Sequence, residues 1–401
     1  MAITDKKTGP WGLDQVFNKI NQGSIWEYYD FYANENGELF TWGENQKGQL
    51  GHNDRTYRSS PTQITGGGSG WSRLIRGAGH ISNHSGAIKS DGTLWVWGNN
   101  EEGALGQNQH DSHRSSPVQV GSATNWSGGA VAPKATMMVN TDGELWVWGS
   151  NATGGLGINS PGPSQRSSPV QVPGTTWVDV VGGYECTGAV KTDGTLWTWG
   201  NNHRGYLGHN NTTEYSSPKQ VPGTTWRIDN NTGITGMAAR FIKTDGTLWS
   251  WGYNNGGGLG LNNTTQYSSP VQVGSDTNWS TVGGSSYNGI AIKTDGTLWT
   301  WGTNSKGQLG TNQTNGLLVS SPVQVPGTTW AYGYIPHQRY VLAAKTDGTL
   351  WSWGYNVWGA LGQNSRIAYS SPVQIPGGWS TKFNGISGAN GSGFGIKPVA
   401  S

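Results

Sequence analysis

The chain has 401 residues, of which 66 are glycine and 12% are charged, and its formal net charge is +2. A glycine-rich composition with many Asn, Thr and Ser and little helix-forming sequence is typical of an all-β protein with tight turns. The small and dispersed charge argues against nucleic-acid binding through phosphate neutralisation, and no apolar stretch is long enough to span a membrane.

Residues 1–28 stand outside the repeat that organises the rest of the chain, residues 29–401. Four apolar side chains in this lead follow the spacing of one helix face: Leu13, Val16, Phe17 and Ile20. This spacing predicts a short amphipathic helix over residues 13–21, and the opening residues lack the apolar run of a signal peptide. We expect this helix and Trp11 to anchor the chain in a larger assembly. The alternative is that the lead caps the remaining fold.

Seven copies of one phrase follow, spelled N-G-E-L-F-T-W-G at residues 36–43 and D-G-T-L-W-T-W-G in its commonest form. Successive copies are 50 to 55 residues apart. Each continues through W-G-x-N-x-x-G-x-L-G, a variable loop, S-S-P-V-Q-V, a single Trp and a β-rich stretch that ends in A-I-K-T. Each period contains four strand signals, as one blade of a β-propeller requires. The sequence therefore predicts an all-β, seven-bladed propeller of four-stranded blades, preceded by the short helical lead.

The recurring residues have local physical reasons. Asp-Gly between two alternating runs is a strong hairpin signal, because Gly adopts the left-handed backbone of the turn without steric cost. The runs Ala291–Lys293 and Leu298–Trp301 are therefore expected to pair as antiparallel neighbours. The two Trp of each L-W-x-W run project to one face of the strand, and their strict periodicity indicates packing between blades rather than a sugar-binding set.

The last strand signal, residues 393–397, matches the A-I-K strand but is not followed by the Asp-Gly hairpin. We expect it to pair with Leu39–Trp42 of the first repeat, because this join removes the exposed edges of an open array and closes the ring. Residues 29–33 compete for the same position, and the sequence leaves both alternatives open.

Two sets of loops differ between repeats: those between the L-G and S-S-P signals, and those that precede the A-I-K strand. Loops at equivalent positions gather on one face of a propeller, so each set forms a ring of displayed segments. The second set is richest at residues 332–340, where aromatic rings and a guanidinium coincide as in protein-binding hot spots. The predicted partner-binding residues are Tyr184, Tyr287, Tyr332, Tyr334, His337, Arg339, Tyr340 and Trp358. The alternative is that these tyrosines cover blade edges.

No pattern predicts an enzyme, a cofactor or a metal site. The single cysteine, Cys186, has no supporting Cys or His partner, and we expect a small buried residue there. Two histidine pairs have ligand-like spacing, but they lie in Gly- and Ser-rich segments without a third ligand: His80 with His84, and His110 with His113. The recurring Asp of T-D-G-T is a turn former.

The repeat resembles that of the regulator of chromosome condensation family over about residues 36–397. The phrase D-G-x-L-W-x-W-G-x-N-x-x-G-x-L-G carries the resemblance and recurs nearly intact in every copy, for example from Asp295 to Gly310. The resemblance implies a seven-bladed propeller used as a protein-binding surface. The founding eukaryotic member is an exchange factor for a small nuclear GTPase and binds chromatin, while bacterial relatives inhibit β-lactamases. Chromatin binding of that type requires a basic arm, which this chain lacks, so function does not follow from the fold.

Residues 8–26 also resemble the lead segments of tail and virion-associated proteins of tailed phages, in which a G-x-W-x-L motif opens an appendage protein. This resemblance implies a non-enzymatic virion appendage, assembled in the host cytoplasm and displayed on the virion surface. Its propeller face would bind a host receptor or a neighbouring virion subunit. Two alternatives stand beside it: a soluble cytoplasmic protein-interaction module, such as an inhibitor or GTPase regulator, and a glycan-binding propeller.

Overall fold

The fold is known from a computed structural model. It describes residues 36–77, 83–160, 165–227, 233–313, 316, 318–337, 339–380, 385–389 and 391–399. The predicted anchor helix, its Trp11 and the competing strand at residues 29–33 lie outside the described residues. The boundary predicted between residues 28 and 29 therefore stays a prediction.

The described residues form strands joined by tight turns and one short 3-10 turn at Glu101–Gly103. In chain order the strands are β1 (Gly37–Gly43), β2 (Arg58–Gln63), β3 (Trp71–Leu74), β4 (Arg76–Gly77), β5 (His84–Lys89), β6 (Leu94–Gly98), β7 (Arg114–Gln119), β8 (Trp126–Ala132), β9 (Ala135–Asn140), β10 (Leu145–Gly149), β11 (Arg166–Val172), β12 (Trp177–Gly182), β13 (Cys186–Lys191), β14 (Leu196–Gly200), β15 (Tyr215–Gln220), β16 (Gly233–Thr235), β17 (Ala238–Ile242), β18 (Leu248–Gly252), β19 (Tyr267–Gln272), β20 (Trp279–Gly284), β21 (Asn288–Lys293), β22 (Leu298–Thr303), β23 (Leu318–Val325), β24 (Trp330–His337), β25 (Tyr340–Lys345), β26 (Leu350–Gly354), β27 (Tyr369–Ile375), β28 (Ile386–Ala389) and β29 (Ser392–Pro398).

These strands make seven antiparallel blades, as the repeat predicts. Blade 1 is β28-β29-β1-β2 and blade 2 is β3-β5-β6-β7, and one residue pair, Gly37 opposite Trp71, joins them into one sheet. Strand β4 follows β3 in the chain and pairs in parallel with β8 of blade 3. Blades 3 to 7 take four strands each in chain order, from β8-β9-β10-β11 to β24-β25-β26-β27. The first strands of successive blades contact one another around the whole circle, since β28 of blade 1 touches both β24 and β4. The propeller is therefore a closed ring of seven blades.

The chain termini close the ring. Strand β29 pairs with β1 in antiparallel register, with Leu39 opposite Ile396 and Trp42 opposite Gly393. On its other edge β29 pairs with β28, so that blade 1 takes strands from both ends of the chain. The prediction that residues 393–397 complete the first blade is confirmed.

In each blade, a buried asparagine shapes the loop that follows the third strand. In blade 4 the side-chain Oδ1 of Asn202 accepts a hydrogen bond from the Leu207 amide at 3.0 Å, and its Nδ2 donates to the Asn211 carbonyl at 3.1 Å. The same amide-to-Oδ1 bond occurs in all seven blades, at Asn45, Asn100, Asn151, Asn202, Asn254, Asn304 and Asn356. A buried amide that satisfies the backbone in this way explains why N-x-x-G-x-L recurs.

The second Trp of each L-W-x-W run joins its blade to the preceding one. Trp251 is fully buried, and its indole Nε1 donates to the Tyr206 carbonyl at 2.9 Å. Gly208 lies against this ring at φ 80°, where a Cβ atom would come within 2.8 Å of the Trp251 Nε1. Trp42 makes the equivalent bond to the Ala360 carbonyl across blades 1 and 7. The predicted packing role of these tryptophans is confirmed.

A left-handed asparagine forms a second bond between neighbouring blades. Asn210 has φ 56°, and its amide donates to the Ser268 carbonyl of the next blade at 2.7 Å. The equivalent bond from Asn364 to Ser59 links blade 7 to blade 1. Closure thus uses the same contacts as every other blade boundary.

Candidate interaction surface

The two loop sets predicted to vary lie on one face of the ring. The residue that follows each W-G pair donates its amide to a carbonyl in the turn between the first and second strands, for example Tyr253 to Met237 at 2.9 Å and Tyr355 to Arg339 at 2.8 Å. This bond occurs in all seven blades, the other donors being Glu44, Asn99, Ser150, Asn201 and Thr303. We call this side the loop face, and the opposite side, which carries the T-D-G-T turns, the turn face.

The turn face repeats one arrangement of Asp, Thr, Trp and Lys side chains. In blade 5 the Thr247 hydroxyl donates to Asp245 at 2.6 Å, the Trp249 indole donates to the Thr247 hydroxyl at 2.8 Å, and the Lys243 ammonium lies 4.0 Å from the Trp249 ring centroid and 4.9 Å from that of Trp226. The hydrogen bonds from Thr247 hold the pKa of Asp245 below its usual range. Because the same groups recur in most blades, this face is a structural element of the repeat.

Three of the predicted partner-binding tyrosines are buried. Tyr332, Tyr334 and Tyr340 are 4%, 5% and 0% exposed. The Tyr334 hydroxyl donates to the Gly77 carbonyl at 2.6 Å, and the Tyr340 hydroxyl donates to the Ser392 carbonyl at 2.9 Å. Burial raises the pKa of both phenols. The expectation that these three rings are displayed is wrong, because the segment forms strands β24 and β25 and its side chains pack between blades.

The other predicted residues lie on the loop face. Arg339 is exposed, whereas Tyr184, Tyr287 and Trp358 are half-buried, and His337 is the last residue of β24. The Arg339 guanidinium lies 5.6 Å from the Tyr355 ring centroid, and the Trp358 ring meets Tyr355 edge-on at 5.6 Å. Their partner-binding role stays a prediction.

Sequence reasoning missed two tyrosines at the centre of this region. Tyr253 packs edge-on against Tyr287 at 5.6 Å and lies 5.7 Å from the Arg204 guanidinium of blade 4. Tyr355 receives the Lys306 ammonium of blade 6 at 5.7 Å. Both tyrosines occupy the variable position directly after W-G. A comparison of that position between repeats, where the other blades carry Glu, Asn, Ser or Thr, is the signal that reveals them.

Exposed aliphatic side chains lie in the same part of the ring. Four large hydrophobic residues in the described ranges are exposed, and three of them are on the loop side of blades 6 and 7: Leu318 at 44%, Val357 at 46% and Ile367 at 64%. We define the aromatic sector as Arg204, Tyr253, Tyr287, Lys306, Leu318, Arg339, Tyr355, Val357, Trp358 and Ile367. Apolar groups concentrated on one part of a surface are typical of an interaction site.

Charge distinguishes the aromatic sector from the rest of the loop face. In blades 1 to 3 three of the loop-face cations pair with acids: Lys47 with Glu101 at 3.3 Å, Arg58 with Asp54 at 2.8 Å and Lys134 with Glu102 at 3.5 Å. The loop-face segments of blades 5 to 7 contain no Asp or Glu in the sequence. Within the described ranges, Arg204, Lys306 and Arg339 form no ion pair and lie against tyrosine rings instead.

A buried carboxyl borders the aromatic sector where blade 7 meets blade 1. Glu44 is 6% exposed, and its Oε2 has no hydrogen-bond partner among the described residues. It packs with the Trp358 ring around Gly391, where a Cβ atom would approach the two side chains within 2.7 and 2.8 Å. Burial raises the pKa of Glu44 to about 7.

The cysteine and the described histidines considered as nucleophile or metal ligands lie at separate places in the fold. Cys186 is buried in β13, and burial raises its pKa. His84 is buried beside the Thr136 hydroxyl at 3.0 Å, and burial lowers its pKa to about 4. His113 accepts a bond from the Asn100 amide at 3.1 Å, and His80 lies outside the described residues. Within the described ranges, no three His, Cys, Asp or Glu side chains are grouped to hold a metal ion.

Family models match most of the chain. The model of the RCC1-like domain matches residues 81–394, and that of the regulator of chromosome condensation (RCC1) repeat matches residues 36–81. The chain belongs to the RCC1-like family. Among the described residues of this RCC1-like propeller, no helix combines the length and apolar character needed to cross a membrane.

Curated relatives share part of their length with this RCC1-like chain. The ultraviolet-B receptor UVR8 of Arabidopsis thaliana is 28% identical over 247 residues, which is 60% of this chain and 55% of UVR8. The E3 ubiquitin-protein ligase HERC2 of Homo sapiens is 27% identical over 369 residues, which is 88% of this chain and 7% of HERC2. The chain therefore spans about half of one relative and a small part of the other.

Solved structures show the same fold. Prp20p from Saccharomyces cerevisiae aligns with a TM-score of 0.81 at 16% identity, covering 94% of this chain and 95% of Prp20p. Human WBSCR16 aligns with a TM-score of 0.75 at 16% identity, covering 91% of this chain and all of that chain.

Proposed function

We propose that this RCC1-like propeller is a protein-interaction module that binds a partner protein through the aromatic sector. The observation that carries the proposal is the coincidence, on the adjacent blades 4 to 7, of exposed aliphatic side chains, tyrosine rings and cations without acidic partners. Tyr, Trp and Arg are the residues that most often dominate binding energy at protein interfaces. The structure of Prp20p was described together with its binding to Gsp1p and histones, which supports a protein as the class of ligand.

The proposal is tested by replacing two aromatic residues on the loop face. A Tyr355→Ala, Trp358→Ala double variant of the full chain is expected to lose a stoichiometric partner that the wild type captures from source-cell extract. A matched control, Lys134→Ala with Glu102→Ala, removes a paired contact elsewhere on the loop face and should retain the partner. Circular dichroism should show all three proteins folded. Equal capture by the aromatic variant and the wild type would refute the proposed surface.

That the protein is a virion appendage is a separate and more specific proposal. It depends on residues 8–26, which lie outside the described residues, and the interaction module fits the relatives without it. The location likewise stays a proposal: the virion surface, with the cytoplasm as the alternative. If residues 1–28 are an anchor, a chain that lacks them should fold but fail to enter particles. Normal incorporation of the truncated chain would exclude the anchor.

A glycan ligand is less compatible with the tryptophan positions. Open grooves of about 560 and 440 Å³ lie between the outer parts of blades 5 and 6 and of blades 4 and 5, with Trp299 and Trp249 in their walls. Sugars bind aromatic faces, but the Lys293 and Lys243 ammonium groups lie 4.4 and 4.0 Å from the centroids of these rings. A glycan array with strong and specific binding would reverse this interpretation.

A further inference from the structure

Two cations share one aromatic ring in the aromatic sector. The centroid of the Tyr355 ring lies 5.7 Å from the Lys306 ammonium and 5.6 Å from the Arg339 guanidinium. The first belongs to blade 6 and the second to blade 7. The negative face of an aromatic ring attracts each cation, but it does not neutralise either charge.

Neither cation of this pair is neutralised by an ion pair within the described residues, and the acidic group that borders the sector, Glu44, is buried beside Trp358. Arg339 is exposed. The loop-face segments of blades 5 to 7 carry no Asp or Glu at all in the sequence. Two like charges near one ring repel each other, and a carboxylate supplied from outside would relieve that repulsion.

Apolar surface adjoins the pair on the same blade. The Trp358 ring packs edge-on against Tyr355, and Val357 beside it is 46% exposed. An apolar side chain of a ligand would be desolvated there, next to the tyrosine ring that both cations contact. Charges at the rim of such a contact steer the ligand and make its binding depend on salt.

We propose that the partner presents an acidic segment with an apolar anchor, whose carboxylates pair with Lys306 and Arg339 while the anchor packs on Trp358 and Val357. The inference rests on the proposed function and specifies the chemistry of its ligand. A protein segment is favoured over nucleic acid because exposed aliphatic groups accompany the cations. The positive charge is also confined to a few residues rather than forming a stripe along a groove.

The probe is a short fluorescent peptide with a Leu-Phe pair flanked by glutamates, titrated against the full chain by fluorescence anisotropy. Binding should weaken as salt is raised, since the paired charges are solvent-accessible. Lys306→Gln and Arg339→Gln should each weaken binding about two- to fivefold, the effect of losing one solvent-accessible charge pair. The control Lys134→Gln, which removes a cation already paired with Glu102, should bind as the wild type does.

Four results would overturn the proposal: no binding of the acidic peptide, equal binding of a version with lysine for glutamate, unchanged affinity in both glutamine variants, or equal competition by single-stranded DNA. The capture experiment separates these outcomes from failure of the interaction module. In one outcome, the Tyr355 and Trp358 double variant loses the partner while a Lys306→Gln, Arg339→Gln double variant retains it. In that case the proposed interaction surface is supported, and the proposal that the partner presents an acidic segment is wrong.

Discussion

The two faces of the propeller come from the same seven repeats but obey different constraints. On the turn face, six blades place a lysine over two aromatic rings, as Lys191 does over Trp177 and Trp197 at 4.6 and 4.5 Å. On the loop face, the position after W-G is Glu, Asn, Ser, Asn, Tyr, Thr and Tyr in successive blades. Groups that hold the ring together must recur in each blade, whereas the loop face can differ without loss of the fold.

This difference between the faces predicts that residues only a few positions apart in the sequence have different effects. One affects the free energy of unfolding, and the other affects ligand affinity. A buried repeated residue should govern unfolding and have no direct effect on ligand affinity. A loop-face residue should do the reverse. Substitutions in blade 5, where Trp251 and Tyr253 stand two residues apart, offer the sharpest test.

Trp251→Ala is expected to have the largest effect on stability. It removes a fully buried indole and its bond to the Tyr206 carbonyl, at a cost of about 3–5 kcal/mol in the free energy of unfolding. Tyr253→Ala, at a half-buried loop-face position, should cost less than about 1 kcal/mol. Guanidinium unfolding followed by Trp fluorescence measures both. Similar losses in the two variants would contradict the division between faces.

Asn202→Ala tests the buried amide that shapes a loop. Without the side chain, the buried Leu207 amide and the partly buried Asn211 carbonyl lose their partners, which should cost about 2–3 kcal/mol. Thr212→Ala is the control, because it changes an exposed side chain of the same loop. If Asn202→Ala unfolds at the wild-type denaturant concentration, the amide is not needed to hold the loop.

The fold could be predicted because each part of the repeat is explained by short-range chemistry. The sequence shows the Asp-Gly turn, the paired tryptophans and a final strand signal at residues 393–397 that lacks its own hairpin. Together these features require a closed ring. The role of the asparagine at Asn202 and its equivalents was not predicted, because its bonds reach residues nine positions away.

The interaction surface was only partly predictable. Arg339 and Trp358 lie on the loop face as expected, but the Tyr334 and Tyr340 rings are not displayed there. Strands β24 and β25 extend almost to each other, and both rings are buried, with their hydroxyls bonded to carbonyls of blades 2 and 1. Tyr355 was missed because it stands inside a motif whose other positions are structural. The sequence shows the position of a residue within its repeat, but it does not show which side chains of the neighbouring blade contact that residue.

Glu44→Gln tests the buried carboxyl at the boundary of blades 1 and 7. Its pKa rises from about 4.5 to about 7 on folding, so the folded state holds a proton that the unfolded state releases. The stability contributed by this proton is fully present below pH 4.5 and is lost as the pH rises to about 7. The variant should remove this loss and exceed the wild type above pH 7 by about 1–2 kcal/mol, a value reduced for screening near the surface.

Thermal unfolding of the wild type and Glu44→Gln across pH 5 to 8 measures this difference. The two curves should converge toward the acid end and separate toward the alkaline end. Parallel curves would show that the Glu44 carboxyl ionises as easily in the folded protein as in the unfolded chain. Because Trp358 of the aromatic sector packs beside the carboxyl around Gly391, the peptide titration should be repeated with this variant.

Lys243→Met tests the smallest contribution, that of a single turn-face lysine. Methionine keeps an apolar stem over Trp226 and Trp249 but removes the ammonium, so the cost should be about 0.5–1 kcal/mol in the free energy of unfolding. Blade 3 supplies the natural comparison, because Asn140 occupies the lysine position there and bonds to Glu144 at 2.7 Å. Urea unfolding resolves such a difference, and peptide affinity should not change. A variant that weakened peptide binding without loss of stability would show that the turn face also acts in recognition.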